Sequence, residues 1–210
     1  MHLTKSQIEG TSRVKRLNII NSVTGIKPAN LIGTISKEGQ PNLAVFNSVF
    51  HLGSDPALMA FICRPSREVP RHTLENILEN NYYTINAIPT DLAERAHYTS
   101  AKFDRDVNEF ERCKIDAMYV DNFLPPFVAS SPIKIGMKFE EQIPMKINGT
   151  IMIIGSIEHL IIDDHLISEQ GYINLAEANI AGIGGLNNYY SLAHVGTYPY
   201  ARVNETPNFE

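Results

Sequence analysis

Short extended segments follow one another along most of this chain, and this pattern constrains the fold more than any other feature. Each segment is rich in β-branched and aromatic residues and is bounded by turn residues; together they cover residues 30–36, 42–50, 57–63, 82–88 and 127–162. The Asn148-Gly149 pair inside the last stretch predicts a hairpin. Many strands with few helices favour a mainly β fold, a closed antiparallel barrel. A parallel α/β sheet would instead alternate helices regularly with strands.

Three short helices are predicted between the strands. The first has Thr73 as its N-cap and an apolar stripe behind it. The second is predicted to start at Thr90 and the third to follow Val107. The glycine- and tyrosine-rich stretch 181–202 shows no clear periodicity. Its AGIGG run lacks the strand and helix that flank a dinucleotide-binding glycine loop, so we interpret it as a turn.

Composition and charge limit the class of function. Of 210 residues, 43% are hydrophobic and 20% are charged, so we expect one globular domain over residues 1–210. The net charge of -5 argues against a nucleic-acid-binding protein that works through bulk positive charge. The apolar runs are far shorter than the ~20 residues that cross a bilayer, and the first ten residues contain no secretory core. We therefore expect a cytoplasmic protein that does not enter the membrane.

The cysteines and histidines do not indicate a disulfide framework or a metal site. Cys63 and Cys113 are too few and too far apart for either, and we expect them to pack as small hydrophobic residues. The other candidates, His159, His165 and His194, lack the spacing of metal ligands.

Positive charge collects in one loop of this acidic chain. Residues 63–73, CRPSREVPRHT, carry Arg64, Arg67 and Arg71 between a predicted buried strand and the first predicted helix. A helix N-terminus favours an anion, and guanidinium groups match phosphate geometry, so the loop could form a phosphate site. Loops are also polar by default, and the arginines could simply be solvated. These residues alone leave both interpretations open.

Polar residues also interrupt the apolar strand that precedes this loop. Asn47 lies between Val45 and Val49 on one face, and Ser48 lies on the opposite face. This pattern is common at the rim of a barrel. The amide and the hydroxyl could equally form hydrogen bonds with the polar edge of a flat heterocycle. With a phosphate site one strand away, a phosphorylated aromatic cofactor would fit both features.

Residues 42–88 resemble the flavin reductase-like family, whose fold is an FMN-binding split barrel, here an antiparallel split β-barrel with a few short helices. The resemblance consists of an ordered series of short motifs: Asn47-Ser48, Asp55-Pro56, ALMAFI, the arginine loop, Thr73…Asn76 and Tyr83…Asn86. A second block, residues 93–115, is similar to a further segment of the family. The similarity spans roughly residues 20–192, and the flavoredoxin-type members look most alike.

The resemblance implies bound FMN and a homodimer with the flavin near the subunit interface. Carried over residue by residue, Asn47 and Ser48, with Val49, would meet the isoalloxazine edge. Arg64, Pro65, Ser66, His72 and Thr73 would form the phosphate site. The remaining pocket residues, partly from the partner chain, would be His97, Thr99, Ser100, Lys102 and Phe103. Because the flavin carries the redox chemistry, no catalytic side chain is expected.

One motif of the NADH-using members is replaced in this chain. They carry Gly-Asp-His before an apolar strand, where this chain has Asn148-Gly149-Thr150. The resemblance therefore supports FMN binding more firmly than NADH-dependent reduction. We expect an FMN-dependent oxidoreductase that passes electrons from a nicotinamide or protein donor to a flavin, metal or protein acceptor. The alternatives are an FMN-binding electron carrier or sensor without NAD(P)H turnover, and a non-redox barrel that binds a phosphorylated ligand.

Overall fold

The computed structural model describes residues 1–66 and 70–209, and within them the chain forms twelve strands and five α-helices. The strands are β1 (Lys27–Pro28), β2 (Asn30–Ile35), β3 (Pro41–Phe46), β4 (Phe50–Ser54), β5 (Ala57–Cys63), β6 (Tyr82–Ala87), β7 (Ala117–Val120), β8 (Phe123–Val128), β9 (Ile133–Pro144), β10 (Ile151–Ile162), β11 (Ala181–Gly184) and β12 (Asn188–Ser191). The helices are α1 (Lys5–Glu9), α2 (Arg13–Ser22), α3 (His72–Asn80), α4 (Ala93–Tyr98) and α5 (Glu109–Arg112). No helix among these residues is both long and apolar enough to span a membrane.

The main sheet closes on itself because its two edge strands are consecutive in the chain. Seven antiparallel strands pair in the order β3-β2-β6-β9-β10-β5-β4. In a flat sheet the edges would lie about 29 Å apart at the usual strand spacing. Residues 47–49, which connect β3 to β4, can span only about 14 Å. The sheet must therefore curl into a barrel, which confirms the predicted mainly antiparallel fold.

Two apolar clusters fill the space on either side of β2. Leu31 lies with Leu43 and Phe110 in the cluster beneath α4 and α5. Ile32, the next residue, lies with Phe61 in the cluster inside the barrel. This division follows from the alternation of side chains along a strand. It explains why β2 is buried on both faces although it is only six residues long.

The long β9–β10 hairpin confirms the prediction made from Asn148-Gly149. Its two twelve-residue strands are joined by residues 145–150, where the backbone N–H of Gly149 donates to the Met145 carbonyl. Gly149 has a φ of 75°, a conformation that glycine adopts readily. Two register shifts occur between β9 and β10, at Ile154/Gly155 and Ile157/His159, and such shifts increase local twist.

Several boundaries differ from the sequence prediction. The predicted strand 42–50 is divided by residues 47–49 into β3 and β4. Strand 57–63 is present, but the prediction of a buried strand is wrong at its first residue, because Ala57 is exposed. Helix α3 starts at His72 with Arg71 as its N-cap. Thr73 instead lies in the first turn, where its buried hydroxyl accepts a hydrogen bond from the Asn42 amide, so the predicted cap was wrong.

The AGIGG run is also more than a turn. Residues 181–184 form β11, which pairs with β1 on one side and β12 on the other, and the turn begins at Gly185. A Cβ atom on Gly182 would overlap the Ile26 side chain, so the glycine allows β1 and β11 to approach closely.

Helices α1 and α2 were not predicted. All ten residues of α2 are partly or fully exposed, so the segment lacks the buried apolar stripe that would identify it.

Gly33 tests how tightly the barrel is packed. A Cβ atom at this position of β2 would overlap the Pro126 carbonyl oxygen and the Thr84 hydroxyl, which are hydrogen-bonded to each other. We expect Gly33→Ala to lower the free energy of unfolding by about 1–3 kcal/mol, as overpacking does. Urea unfolding measures this. The matched control is Gly53→Ala on β4, where the nearest atom would be 3.4 Å away. Equal effects of the two substitutions would contradict the prediction.

Candidate active site

A cavity of about 1020 Å³ opens where four parts of the chain meet. Its walls are the β3–β4 connection, the N-terminal end of α3, the loop that follows α4 and the β11–β12 turn. Ligand pockets commonly have volumes of about 300–1,000 Å³, so this cavity can hold a ligand the size of a nucleotide cofactor. Nine of the thirteen predicted site residues line it: Asn47, Ser48, Arg64, His72, Thr73, Thr99, Ser100, Lys102 and Phe103.

The other four predicted residues lie outside the lining. Val49 is buried in the cluster inside the barrel. Pro65 lies beside Gly149 at the tip of the β9–β10 hairpin, and Ser66 is exposed. His97 packs edge-on against the Tyr189 ring, with centroids 5.8 Å apart. Arg67, part of the predicted arginine cluster, lies outside the described residues.

The N-terminal end of α3 forms a cationic wall of the cavity. The first N–H groups of a helix have no partner within the helix and favour an anion. Arg64, which is exposed, and Arg71, the N-cap, both line the cavity beside this end. The Nε atom of Arg71 is buried, and no described residue accepts a hydrogen bond from it. Leaving such a donor unmatched is costly, so the site suits an anionic ligand.

A buried hydrogen-bond network holds this end of α3 in place. The Asn42 amide donates to the hydroxyls of Thr34 and Thr73, each at 3.2 Å. The Asn76 amide donates to the same Thr34 hydroxyl at 3.1 Å. Because all four residues are buried, the network fixes α3 against β2 and β3. The Thr73…Asn76 motif noted in the sequence is therefore what orients the helix toward the cavity.

The β3–β4 connection uses its polar side chains mainly to hold the walls together. The Ser48 hydroxyl donates to the Ile62 carbonyl at 3.1 Å and accepts from the Ile62 N–H at 3.2 Å. The Asn47 amide donates to the Gly185 carbonyl at 2.9 Å, which ties the connection to the β11–β12 turn. Both residues line the cavity, but the Ser48 hydroxyl and the Asn47 amide NH₂ already form these hydrogen bonds within the protein.

The loop after α4 is fastened at both ends. At its start the hydroxyls of Thr99 and Ser100 donate to the carbonyls of Ala96 and His97, both at 2.7 Å. At its end Arg105 forms an ion pair with Glu75 of α3 at 2.6 Å and a longer one with Glu79 at 3.4 Å. Between these points Lys102 and Phe103 line the cavity. The loop thus forms a wall that is braced against α3.

Comparison with known protein families identifies the family of this chain. The family model described as "Flavin reductase like domain" matches residues 26–177, more than half of the chain. The chain belongs to the flavin reductase-like family. The resemblance noted in the sequence is thereby confirmed, and the family supports a flavin cofactor and an oxidoreductase function.

Solved structures agree with the family assignment. A candidate flavin reductase with a split-barrel domain from Shewanella frigidimarina NCIMB 400 is 40% identical to this chain. The two superpose with a TM-score of 0.92 over 96% of this chain and 100% of the other. Nitrilotriacetate monooxygenase component B from Bacillus cereus is 15% identical, with a TM-score of 0.82 over 94% and 98% of the two chains. Flavoredoxin of Desulfovibrio vulgaris (Miyazaki F) is 18% identical, with a TM-score of 0.72 over 84% and 92%. The last two similarities establish the split-barrel fold.

Several lining residues of this flavin reductase-like chain were not among the predicted site residues. They are Asn42, Arg71, Arg105, Glu109, Leu186 and Asn187. Arg71 was part of the arginine loop, but its sequence gives no sign that it is more buried than Arg64. Leu186 and Asn187 lie in the β11–β12 turn, which reaches the cavity through pairings distant in sequence.

Glu109 is a buried carboxyl group in the cavity wall. Its side chain accepts a hydrogen bond from the backbone N–H of Leu43 at 3.0 Å, on the edge strand β3. Covering an unpaired edge in this way protects it from other chains. Burial raises the pKa of the Glu109 carboxyl above its usual range, although the hydrogen bond from Leu43 acts in the opposite direction. The charged form of this group is therefore disfavoured in the folded protein.

This raised pKa predicts a pH-dependent effect of Glu109→Gln. The unfolded chain loses the Glu109 proton near the ordinary pKa of about 4.3, whereas the folded protein keeps it to a higher pH. Between these two pKa values the free energy of unfolding of the wild type therefore falls as pH rises. The glutamine has no charge and can still accept from Leu43. We expect the stability of the variant relative to wild type to grow between these two pKa values and then level off. Urea unfolding over a pH series measures it, with the exposed Glu158→Gln as control. A difference independent of pH would contradict the prediction.

Proposed function

We propose that this protein is an FMN-dependent oxidoreductase that binds the FMN phosphate at the N-terminal end of α3. The observation that carries the proposal is the buried, unmatched Nε of Arg71 at the cavity wall, among the described residues. Arg64, His72 and Thr73 line the cavity beside it. A phosphate monoester would accept from guanidinium groups and from the free N–H groups of the helix end. A solvated loop would leave Arg71 in water instead.

Bound FMN supplies the hydride and electron chemistry at this site. The chain's own residues bind and orient it. The β3–β4 connection and the β11–β12 turn, joined by Asn47, form one wall of the flavin site, and the braced loop with Lys102 and Phe103 forms another. Burial raises the pKa of the Cys63 thiol to about 12, so at neutral pH this lining residue remains protonated and is a poor nucleophile. We expect residues 1–210 to act as one domain, as a homodimer in the cytoplasm.

The electron donor is a reduced nicotinamide or a reduced protein, and the acceptor is a flavin, a metal or a protein. Asn148-Gly149-Thr150 stands where NADH-using relatives have Gly-Asp-His, at the tip of the β9–β10 hairpin. Its Gly149 packs toward Pro65, outside the cavity lining. This replacement favours a second candidate, an FMN-binding electron carrier that NAD(P)H does not reduce.

An absorbance spectrum tests the proposed cofactor and separates the two candidates. Purified protein, with FMN added where needed, should show flavin absorbance bands near ~370 and ~450 nm. Free flavin has the same bands, so the test of binding is that they remain with the protein after gel filtration. Anaerobic NADH should bleach these bands in a reductase and leave them unchanged in a carrier with another donor. Protein that neither contains flavin nor retains added FMN would overturn the proposal.

The phosphate site predicts a specific loss of affinity on Arg71→Ala. Removing a hydrogen bond to a charged group costs about 1.5–3 kcal/mol, so FMN should bind roughly 10- to 100-fold more weakly. Riboflavin, which lacks the phosphate, should bind the variant and the wild type equally, and this comparison controls for changes in folding. Arg64→Ala should show the same selectivity. Fluorescence titration measures all of these affinities.

Arg95→Ala provides the matched control for charge. Its guanidinium donates to the Lys114 carbonyl and lies outside the cavity lining. FMN affinity should therefore be unchanged in this variant. If wild-type protein bound FMN and riboflavin with the same affinity, the cavity would contain no phosphate site.

A further inference from the structure

The cavity lining changes in character where it is built by parts of the chain that the family model does not match. Every charged residue of the described lining lies within residues 26–177, the matched segment. The four lining residues outside that segment are all uncharged: Asn21, Ile183, Leu186 and Asn187. Helix α2 contributes the first of these and the β11–β12 turn the last two, so these two elements form a neutral wall.

Helix α2 and the β11–β12 turn meet the β3–β4 connection at Gly185. The Asn47 amide donates to the Gly185 carbonyl at 2.9 Å. A Cβ atom on Gly185 would lie 2.9 Å from the Ser22 hydroxyl oxygen, so the C-terminal end of α2 packs directly on the turn. Around this point three elements each contribute one asparagine to the lining, and we call this set the carboxamide wall: Asn21, Asn47 and Asn187.

The carboxamide wall and the N-terminal end of α3 lie toward opposite ends of β3. Asn42 on this strand bonds to Thr73 of α3, and Asn47 follows the strand five residues later. Five residues of extended chain span about 16 Å. The cavity volume of about 1020 Å³ is at the upper end of the range for ligand pockets. A small second ligand therefore has room at the wall while a phosphate group occupies the α3 end.

The free hydrogen-bonding groups of the wall are mainly acceptors. The NH₂ group of Asn21 donates to the Leu17 carbonyl at 2.8 Å, and that of Asn47 is used by Gly185. Among residues 1–66 and 70–209, no group donates to the Oδ1 atom of either asparagine, and none bonds to the Asn187 side chain. The wall thus presents two acceptors and one amide that can both donate and accept.

We propose that the carboxamide wall is a binding site for an uncharged molecule that carries an amide or ring-imide group. The proposal rests on the proposed function, because it names the class of molecule that exchanges electrons with the flavin. The N–H of the ligand donates to Asn21 and Asn47, and its carbonyl accepts from Asn187. A carboxylate has no N–H to donate, and the wall has no cation to offset the loss of its hydration, so the wall selects an amide over the acid of the same shape.

Two pairs of asparagines test the site with benzamide and benzoate as probes. Titration calorimetry on FMN-saturated protein, in which phosphate fills the α3 end, should show benzamide binding at least tenfold more tightly than benzoate. Asn21→Ala and Asn187→Ala should each weaken benzamide binding about 3- to 10-fold, as the loss of one hydrogen bond does. Asn18→Ala and Asn188→Ala are the matched controls, because both residues are exposed and lie outside the lining. They should leave the affinity unchanged.

A charged variant provides a test by gain of binding. Asn187→Lys should reverse the preference, because an ammonium group at this position favours the carboxylate of benzoate. Nicotinamide and lumiflavin, titrated in the same way, distinguish a carboxamide from a ring imide as the group that is bound.

Three results would overturn the proposal: no binding of benzamide, benzoate binding as tightly as benzamide, or equal losses in the lining variants and their controls. Protein that retains no FMN would instead refute the proposed function. The same titrations in phosphate buffer would then still test the carboxamide wall, because inorganic phosphate would fill the α3 end.

Discussion

The barrel depends on the three-residue connection between β3 and β4. These strands are the opposite edges of the seven-stranded sheet, so a short connection between them requires the whole sheet to curl. The two hydrogen bonds between Ser48 and Ile62 attach this connection to β5, and the bond from Asn47 attaches it to the β11–β12 turn. Residues 47–49 therefore both close the barrel and form one wall of the cavity. Polar residues occur here because the backbone of β5 and the turn need partners at a point where the regular strand ladder is interrupted.

The polar network around α3 connects the barrel to the opposite wall. Asn42 lies on β3 and bonds to Thr73 on α3, so the edge strand that leads into the connection also positions the helix end. Glu109 binds the same strand at Leu43 from the outside. One short strand thus aligns the helix, the β3–β4 connection and α5 around the cavity. Because these groups are buried and paired, the cavity walls are fixed before a ligand arrives, which lowers the cost of ordering them on binding.

Much of the strand order was predictable from the sequence because apolar and β-branched residues mark strands locally. Segments 30–36 and 82–88 and the hairpin at Asn148-Gly149 correspond to β2, β6 and the β9–β10 turn. The break at residues 47–49 was not predictable, because it follows from Ser48 bonding to Ile62, fourteen residues away. For the same reason the cap of α3 was misplaced: Thr73 is drawn into a network with Asn42 rather than used at the helix end. Helices without buried residues, such as α2, give no periodic signal at all.

The arginine loop shows why a candidate site needs the fold as well as the sequence. Its arginines are chemically identical along the chain, and a solvated cluster and a phosphate site would have the same composition. The fold favours the second by placing Arg64 and Arg71 at the same cavity and burying the Nε of Arg71 there, with no acceptor among the described residues. A buried N–H group of a guanidinium is unfavourable unless an acceptor joins it, and an anionic acceptor suits its charge best. The cost of leaving this Nε–H group without an acceptor among residues 1–66 and 70–209 is thus the physical reason to expect a phosphate group at the start of α3.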